Sequence, residues 1–486
     1  MKDWAKWALD TAAARGAGYA DVRVVDARTR NLSTKNGKVG SVSESESLGL
    51  GVRVLAEGAW GFASTDKLTR EQIDSTAARA VAIARASARV KKKDILLAPE
   101  QKITAVWATP IEKDPFGVSL EEMLKLLFRA DEEMRGVAGV TLAEASMSFT
   151  RLEQLFVSTL GSQIHQTKVY SGAGLVATSF AENEIQKRSY PNSFGGQHAA
   201  AGYELIERLG LVENARRVGE EAVALHTAAK CPEGKRTIIL ESAQLGLQIH
   251  ESIGHPIELD RVLGMEANFA GMSFLTLDQL NRLRYGSEIV NVVADARLEH
   301  GPGLGTFAYD DEGVAAQRAD IIQGGLFVGY LTSRETATAV GARSSNGTMR
   351  ADGWSRIPLI RMTNVSLLPG SWKLADLIAD TDDGIYMETN RSWSIDDRRY
   401  HFQFGCELAW EIRGGKKVRM LKNPSYSGIT TEFWNCCDAI CDAGHWVLWG
   451  TPNCGKGQPS QTMGTGHGAA PARFRNVTVG IAYAHP

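Results

Sequence analysis

Two histidines and a glutamate lie within the six-residue segment His250-Glu-Ser-Ile-Gly-His255. Imidazole nitrogens bind Zn²⁺ well, and a carboxylate held beside the metal can take a proton from metal-bound water. His250 and His255 are therefore candidate metal ligands, and Glu251 is a candidate general base. This combination of residue types is typical of metal-dependent hydrolysis.

The two histidines are one residue further apart than in the His-Glu-x-x-His helix motif. Each residue of a regular helix turns by about 100°, so histidines five residues apart diverge by about 140° and cannot share one ion. The helix must absorb the extra residue, most simply through a one-turn π-bulge. Gly254 tolerates such a distortion, and Pro256 biases His255 away from α geometry. The alternative is an ordinary helix end, with His250 exposed and His255 in a local hydrogen bond.

A catalytic zinc needs at least one further protein ligand and an open position for water. Ligands from separate elements share no fixed spacing, so several candidates remain: Glu258, Asp260, Glu312, His401, Cys406, Cys454 and His467. Cys454 lies in the segment Gly450-Thr-Pro-Asn-Cys-Gly-Lys-Gly-Gln-Pro459, which is rich in glycine and proline. Such a loop is ill suited to burying a thiol for packing alone, and a thiolate near a cation there would suit a functional role.

Composition excludes several classes of protein. The 486 residues, 43% of them apolar, predict two or three domains with substantial cores. No stretch reaches the roughly 18 apolar residues of a membrane span, and we expect neither a secretory signal nor a membrane partner. The 54 basic and 56 acidic residues give no electrostatic basis for binding nucleic acid. The six cysteines do not form a disulfide framework, so we expect a cytoplasmic protein.

A second cysteine cluster must also be considered, because Cys437, Cys441 and His445 follow one another at four-residue intervals. This spacing matches none of the usual zinc ribbons or fingers. Free cysteine packs as a small hydrophobic residue, so the segment is also typical of an apolar core stretch.

Residues 1–230 are predicted to form an N-terminal α+β domain, in which one order of elements occurs twice. The patterns predict helices over 4–14, 69–90, 119–133 and 205–229, and strands over 19–64, 140–149, 154–158 and 163–178. Asn36-Gly37 is a strong hairpin signal, and Ser119 with Glu122 is a plausible N-terminal cap. The repeated order suggests an internal duplication, with halves near 1–100 and 115–230.

Residues 231–486 are predicted to form a β-rich C-terminal domain, since Cys231-Pro-Glu-Gly-Lys-Arg236 is a polar turn typical of a boundary. From Glu288 onward, short apolar alternations are separated by glycine, asparagine and aspartate. Frequent strands with one or two helices are typical of a barrel or a sandwich. The predicted fold class is thus α+β, with the motif helix packed near one end of the β-rich domain.

Several segments, read together, resemble one known family. His250-Glu-Ser-Ile-Gly-His-Pro256, Gly450–Pro459 and Met463-Gly-Thr-Gly466 resemble the TldD branch of the TldD/PmbA (TldE) family. Arg361-Met-Thr-Asn364, Leu368-Pro-Gly370 and Phe402-Gln-Phe-Gly405 resemble it as well, in order over essentially the whole chain. The resemblance implies a zinc peptidase with His250, His255 and Cys454 as metal ligands and Glu251 as general base.

The resemblance also implies that the substrate is a peptide or an unfolded polypeptide segment, and that the chain forms a dimer. The dimer would contain either a TldE-like paralogue or a second copy of this chain, which carries the metal motif of the catalytic subunit. We expect the substrate to bind in an extended form along a strand edge. Arg361, Tyr400 and His401 are candidate oxyanion stabilisers.

Two other classes of function compete with a peptidase. One is a non-catalytic peptide-binding or chaperone-like protein, whose structural zinc would be enclosed by four protein ligands. The other is a redox protein that uses Cys454 as its reactive thiol.

Overall fold

The computed structural model of the protein describes residues 1–181, 183–269, 271–457 and 459–481. The first part of the chain combines five helices with eight strands in one sheet. The elements are α1 (Lys2–Ala14), β1 (Tyr19–Lys35), β2 (Lys38–Ala56), β3 (Ala59–Thr65), α2 (Arg70–Ala88), β4 (Thr104–Ala108), α3 (Leu120–Arg135), β5 (Val140–Ser158), β6 (Gln163–Ala181), β7 (Glu184–Tyr190), β8 (Gln197–Ala199), α4 (Glu204–Arg208) and α5 (Leu211–Ala224).

The sheet of this first part is built from two meanders that meet at its centre. Its strand order is β3-β2-β1-β5-β6-β4, with β7 and β8 also paired to β6. Strand β1 pairs antiparallel with β5 over most of its length. The turn between β1 and β2 uses Asn36 and Gly37, both at positive φ, as its sequence predicts. Each half has the order helix, three-stranded meander, helix.

The helices cover one face of the sheet, and its other face meets the second part of the chain. Two apolar clusters, one under α1 and α2 and one under α3 and α5, fill the covered face. On the opposite face the buried Arg53 guanidinium forms ion pairs with Asp21 at 2.6 Å and with Glu312 at 2.9 Å. Arg334 similarly pairs with Glu100 at 2.8 Å. Paired buried charges therefore join the two parts of the chain.

Two predicted elements of this region were wrong. The strands expected over 140–149 and 154–158 are one strand, β5, because its central residues pair with β1 on one side and with β6 on the other. The helix expected over 205–229 is two helices, since Gly210 adopts a left-handed conformation (φ 59°) between α4 and α5. The second of these helices, α5, ends at Ala224 and not at residue 229, where a short strand begins.

The second part of the chain is rich in strands. The elements are β9 (Ala229–Lys230), β10 (Gly234–Leu240), α6 (Ser242–Ile249), a π-helix (His250–Gly254), α7 (Leu259–Val262), β11 (Val292–Asp295), β12 (Arg318–Gln323), β13 (Leu326–Phe327), β14 (Met349–Arg350), β15 (Leu359–Ile360), β16 (Val365–Leu367), α8 (Leu374–Ala379), β17 (Asp383–Ile395), β18 (His401–Arg413), β19 (Lys416–Lys422), β20 (Pro424–Ile429), α9 (Thr430–Asn435), β21 (Cys437–Ile440), β22 (Val447–Lys456), β23 (Gln461–Ala469) and β24 (Ala472–Ile481). Short 3₁₀ turns lie at Pro115–Gly117, Leu277–Gln279, Leu298–His300, Ala337–Val340 and Ala443–His445.

Five strands of this part close into a barrel. They follow the order β17-β10-β24-β20-β18, and β17 and β18 pair to complete the ring. Helix α6 follows β10 directly and contacts β17 of the barrel and both strands of the β22–β23 hairpin. The α+β class and the β-rich barrel predicted from the sequence are thus confirmed. Within the described residues, no helix combines the length and apolar character needed to span a bilayer.

Candidate metal centre

His250 and His255 lie at the two ends of a single widened helical turn. Helix α6 ends at Ile249, the π-helix spans His250–Gly254, and the amide of His255 donates to the carbonyl of His250 at 3.1 Å. This i to i−5 hydrogen bond brings the ring centroids within 4.8 Å of each other. The π-bulge expected from the spacing is confirmed. Pro256 does not move His255 out of the α region, since its φ and ψ are −69° and −43°.

Gly254 is required in this turn by packing. A Cβ atom built on Gly254 would lie 2.0 Å from the sulfur of Met362, which is far inside van der Waals contact. The side chains around it, including Ile253 and Met362, belong to the core cluster of the second part of the chain. The bulged turn is therefore fixed by the core, and the two imidazoles are held by it.

Cys454 reaches the histidines from β22. Its Sγ lies 3.8 Å from Nε2 of His255, and ligand atoms of His250, His255 and Cys454 all lie within 4.8 Å of one another. Zinc bonds of roughly 2.0–2.3 Å in a tetrahedron place ligand atoms about 3.3–3.6 Å apart, so small side-chain movements fit these three to one ion. In the part of the chain that the structure describes, no other three His, Cys, Asp or Glu side chains form such a group.

Hydrogen bonds orient the His250 ring. His467 lies with Nδ1 3.1 Å from the carbonyl of Val365 and with Nε2 2.7 Å from Nδ1 of His250. A carbonyl only accepts, so Nδ1 of His467 donates to it, and Nε2 of His467 then accepts from Nδ1 of His250. Burial lowers the pKa of His250 to about 4, which keeps this ring neutral. Its Nε2 atom therefore carries a free lone pair for a metal.

Glu258 orients the His255 ring in the same way. Nδ1 of His255 lies 3.1 Å from Oε2 of Glu258, which also pairs with Arg261 at 3.2 Å. Lys456 lies 3.4 Å from the other carboxylate oxygen. Although burial raises the pKa of Glu258, Lys456 and then His255 and Arg261 hold that pKa well below its ordinary value. A carboxylate on the far nitrogen of a ligand imidazole fixes its tautomer and increases its basicity.

The surroundings of Cys454 lower the pKa of its thiol. Burial raises the pKa of Cys454, but His255 and Arg361 oppose this effect, and the pKa lies below the ordinary value. The buried Arg361 guanidinium donates to the carbonyl of Cys454, and to that of Gln461 at 3.3 Å. Arg361 therefore joins the two strands of the β22–β23 hairpin through their carbonyls. Its positive charge also lowers the pKa of the Cys454 thiol.

Glu251 forms an ion pair that the sequence did not indicate. Its Oε2 lies 2.6 Å from Nη1 of Arg399, in the turn between β17 and β18, where Arg399 has a positive φ of 64°. Glu251 is buried and directly follows His250 in the π-helix. The candidate general base is thus held beside the ligand cluster by a cation from a distant segment.

The other ligand candidates have different surroundings. Asp260 accepts from Lys456 at 2.8 Å, Glu312 pairs with Arg53, and Cys406 lies in the core cluster. His401 is exposed at the start of β18. Glu258 and His467 lie behind the histidines and orient them. The predicted residues that come together are therefore His250, His255 and Cys454, with Glu251 next to them.

The second cysteine cluster packs as part of the core. Cys437 and Cys441 are buried in the apolar cluster that surrounds α6, while Nδ1 of His445 lies 3.0 Å from Asp442. These residues do not form a metal-binding group within the described chain. Tyr400, one of the oxyanion candidates, packs on Phe274 at a ring-centroid distance of 5.2 Å.

The sequence of the chain is similar to those of one family of metallopeptidases. Residues 233–480 match the PmbA/TldA metallopeptidase C-terminal domain, and residues 20–84 match the PmbA/TldA metallopeptidase domain 1. A metalloprotease of Methanothermobacter thermautotrophicus is 30% identical over 464 residues, which cover 95% of both chains. A metalloprotease TldD homologue of Haemophilus influenzae is 24% identical, with 97% of this chain and 95% of that protein aligned.

Solved structures share the fold. A Thermotoga maritima protein described as a candidate modulator of a DNA gyrase superposes with a TM-score of 0.77 at 16% identity, over 99% of this chain and 100% of that one. TldE from Thermococcus kodakarensis superposes with a TM-score of 0.72 at 15% identity, over 97% of this chain and 98% of that one. At these identities the likeness concerns the fold.

Proposed function

The chain belongs to the PmbA/TldD family of metallopeptidases, and from that premise we propose that it is a zinc-dependent enzyme that hydrolyses peptides or unfolded polypeptide segments. The observation that carries the proposal is the convergence of His250, His255 and Cys454, with Glu251 beside them. Three protein donors leave room for a water molecule, as catalysis requires. Nitrogen and thiolate donors suit zinc, and both imidazoles present an unprotonated Nε2 atom to the site.

We assign the proton transfers of the reaction to Glu251. When bound, zinc would supply a water whose pKa is lowered toward neutrality and would polarise the substrate carbonyl. Glu251 would accept a proton from the attacking water and would later deliver it to the leaving amine. Arg399 holds the Glu251 carboxylate in place until the substrate arrives. As a ligand, a Cys454 thiolate would make a bound zinc a weaker Lewis acid than a third neutral histidine would.

A non-catalytic protein with a structural zinc is the alternative. It would require a fourth protein ligand, and no fourth His, Cys, Asp or Glu joins the group among the described residues. The buried pair of Glu251 and Arg399 beside the cluster also favours a reactive centre over a closed structural one.

The test combines zinc content and hydrolysis of an unfolded polypeptide on the same samples. We expect about one zinc per chain in the wild type and in Glu251→Gln, with hydrolysis only in the wild type. Cys454→Ser should lose both zinc and hydrolysis, whereas the half-buried Cys436→Ser is a matched control that keeps both. A zinc-loaded wild type that cleaves no unfolded substrate would favour the binding protein. Inactivation by a thiol reagent, without sensitivity to chelators, would favour a redox protein that uses Cys454 as its reactive thiol.

We also propose that the chain acts as a dimer. The outer half of β2 supports this, because from Lys38 to Gly49 its backbone pairs only with β1 among the described strands. Val39 and Val42 are 50% and 42% exposed there. An open strand edge with apolar side chains is a site for pairing with another chain. Light scattering of the purified chain, alone and with a TldE-like paralogue, tests the two forms of dimer.

A further inference from the structure

A cavity of about 480 Å³ lies between the first sheet and the hairpin that carries Cys454. Its floor is the face of the sheet that points away from the helices, where Ala27, Leu152 and Lys168 form one row across β1, β5 and β6. Its roof includes Pro452 and Met463 of the β22–β23 hairpin. We refer to this space as the sheet–hairpin cavity. Its volume is within the range of roughly 300–1,000 Å³ that is usual for ligand pockets.

The sheet–hairpin cavity adjoins the metal centre through the chain itself. Met463 lies directly opposite Cys454 in the hairpin, and Pro452 is two residues before Cys454. A strand advances roughly 3.3 Å per residue, so these lining residues are within about two residue lengths of the metal ligand. The cavity wall is therefore close to Cys454, which is the proximity that a subsite beside the metal requires.

Lys168 lies on the floor of this cavity and forms no direct ion pair with a described residue. The residue is 8% exposed, and no described residue makes a hydrogen bond or a salt bridge with its ammonium group. Its recorded contact is with the ring of Phe307, whose centroid is 5.9 Å away. Burial lowers the pKa of Lys168, while Asp311 acts in the opposite direction. A buried ammonium without a direct ion pair is costly, and an incoming carboxylate would offset part of that cost.

The other charges around the cavity are of both signs, and its carboxylates are engaged by other groups; Asp352 accepts from the amide of Thr462 at 3.0 Å. Arg350, 5.7 Å from the same Phe307 ring, donates to the carbonyls of Leu304, Met362 and Gly464 and forms no ion pair among the described residues. Asp311 is already occupied, since it lies 3.6 Å from Arg23 and accepts from Gln154 at 2.7 Å. Asp310 accepts from the backbone amides of Glu312 and Val314 at 2.9 Å and of Met349 at 3.0 Å, so its carboxylate is also occupied.

His198 adds a second polar group to the cavity wall. It is 8% exposed, and its Nε2 atom is buried without a hydrogen-bond partner in the described part of the chain. Burial lowers the pKa of His198 to about 4, although the backbone of Phe194 and Gly195 acts in the opposite direction, so the ring is neutral. The group that the cavity offers to a carboxylate is thus the Lys168 ammonium, between apolar walls that include Leu304 and Phe307.

We propose that the sheet–hairpin cavity is a substrate subsite in which Lys168 binds a carboxylate of the peptide. This inference rests on the peptidase function proposed above and gives it a substrate class, peptides with a carboxylate close to the scissile bond. The carboxylate can belong to a glutamate or aspartate side chain or to the carboxyl terminus of the peptide. Phe307 and Leu304 pack against the aliphatic part of the same residue.

The test measures binding separately from hydrolysis. Three unlabelled peptides, which differ only at one residue or at the carboxyl end, are titrated by calorimetry against zinc-loaded Glu251→Gln protein. The first has an internal glutamate and an amidated end, the second has glutamine and an amidated end, and the third has glutamine and a free carboxyl terminus. We expect at least one carboxylate peptide to bind about 10- to 100-fold more tightly than the neutral one. The comparison of the first and third peptides identifies the source of the carboxylate.

Variants of Lys168 then locate the effect. Lys168→Met should remove the preference and leave binding of the neutral peptide and the zinc content unchanged, whereas Lys168→Arg should restore most of it. Lys125→Met, on α3 behind the sheet, is a matched control without effect. Equal binding of all three peptides, or a preference that survives Lys168→Met, would overturn the assignment. If Lys168→Met does not fold, the peptide comparison on the parent protein still decides.

The two proposals fail in different ways. If the wild type hydrolyses all three peptides with the same kcat/KM and binds them equally, then the subsite is wrong and the peptidase stands. If a carboxylate preference is seen in binding but the zinc-loaded wild type hydrolyses none of the peptides, then the peptidase is wrong and the carboxylate site stands.

Discussion

Nη1 of Arg399 lies 2.6 Å from Oε2 of Glu251, so a guanidinium from a barrel turn holds the carboxylate of the motif segment. Arg399 is a positioning residue in this arrangement, because it acts through Glu251. Its positive φ of 64° shows that the turn adopts an uncommon backbone conformation to present it.

We predict that Arg399→Ala lowers kcat by about 10- to 100-fold, because an ion pair to a carboxylate contributes roughly 1.5–3 kcal/mol to its placement. Zinc content and KM should change little, and Arg399→Lys should recover part of the rate. The exposed neighbour Arg398 is the control, and Arg398→Ala should retain full kcat. Steady-state kinetics with parallel zinc analysis checks this, and an unchanged kcat in Arg399→Ala would remove Arg399 from the mechanism.

His467 is predicted to act on metal affinity. His467→Ala removes the acceptor that orients the Nδ1 hydrogen of His250, and groups in this position typically contribute 10- to 100-fold to metal affinity. We therefore expect the zinc dissociation constant to rise by about that factor, as measured by competition with a fluorescent chelator. The exposed His401→Ala is the matched control. Equal affinity in the wild type and in His467→Ala would contradict the role given to this hydrogen bond.

Gly254→Ala should destabilise the protein. The new Cβ would collide with the sulfur of Met362, and overpacking of a core costs about 1–3 kcal/mol. Gly136→Ala is a suitable control, since Gly136 has α-region dihedrals at the end of α3 and only ordinary contacts. Urea unfolding of the three proteins provides the free energies. Equal stability of Gly254→Ala and the wild type would show that the Met362 side chain can move away from the new methyl group at little cost.

Removal of the metal should lower the melting temperature. A ligand that binds only the folded state stabilises it by about 4 kcal/mol when its concentration is 1,000 times the dissociation constant. We expect chelation to lower the Tm of the wild type by several degrees and added zinc to restore it. Cys454→Ser should show neither effect, and scanning calorimetry with and without chelator tests both. A wild-type Tm that does not respond to chelation would argue against bound zinc.

The local features of the fold and site follow from sequence because each has a local cause. The five-residue interval between His250 and His255 requires a widened turn if one ion is to reach both rings, and the π-helix is present. Asn36-Gly37 forms the hairpin turn that its dihedral preferences favour. The hydroxyl of Ser119 accepts from the amide of Glu122, as the capping pattern predicts.

The long-range features could not be derived in that way. Spacing alone left seven possible further ligands, and resemblance to a family, not geometry, selected Cys454. Arg399 carries no signal in its neighbourhood, because its role depends on where the turn between β17 and β18 lies relative to α6. The predicted break within β5 was wrong because backbone pairing on both edges outweighs the polar character of its central residues.

The closure of the barrel fixes when the site can exist during synthesis. β24 pairs with β10, the strand that leads directly into the motif helix, and Cys454 follows His255 by 199 residues. The ribosome must therefore release nearly the whole chain before the ligands can meet, so a nascent chain holds no competent centre. We expect a protein truncated before Ala472, which lacks β24, to bind no zinc, and an emerging chain would then be unable to cut its own segments.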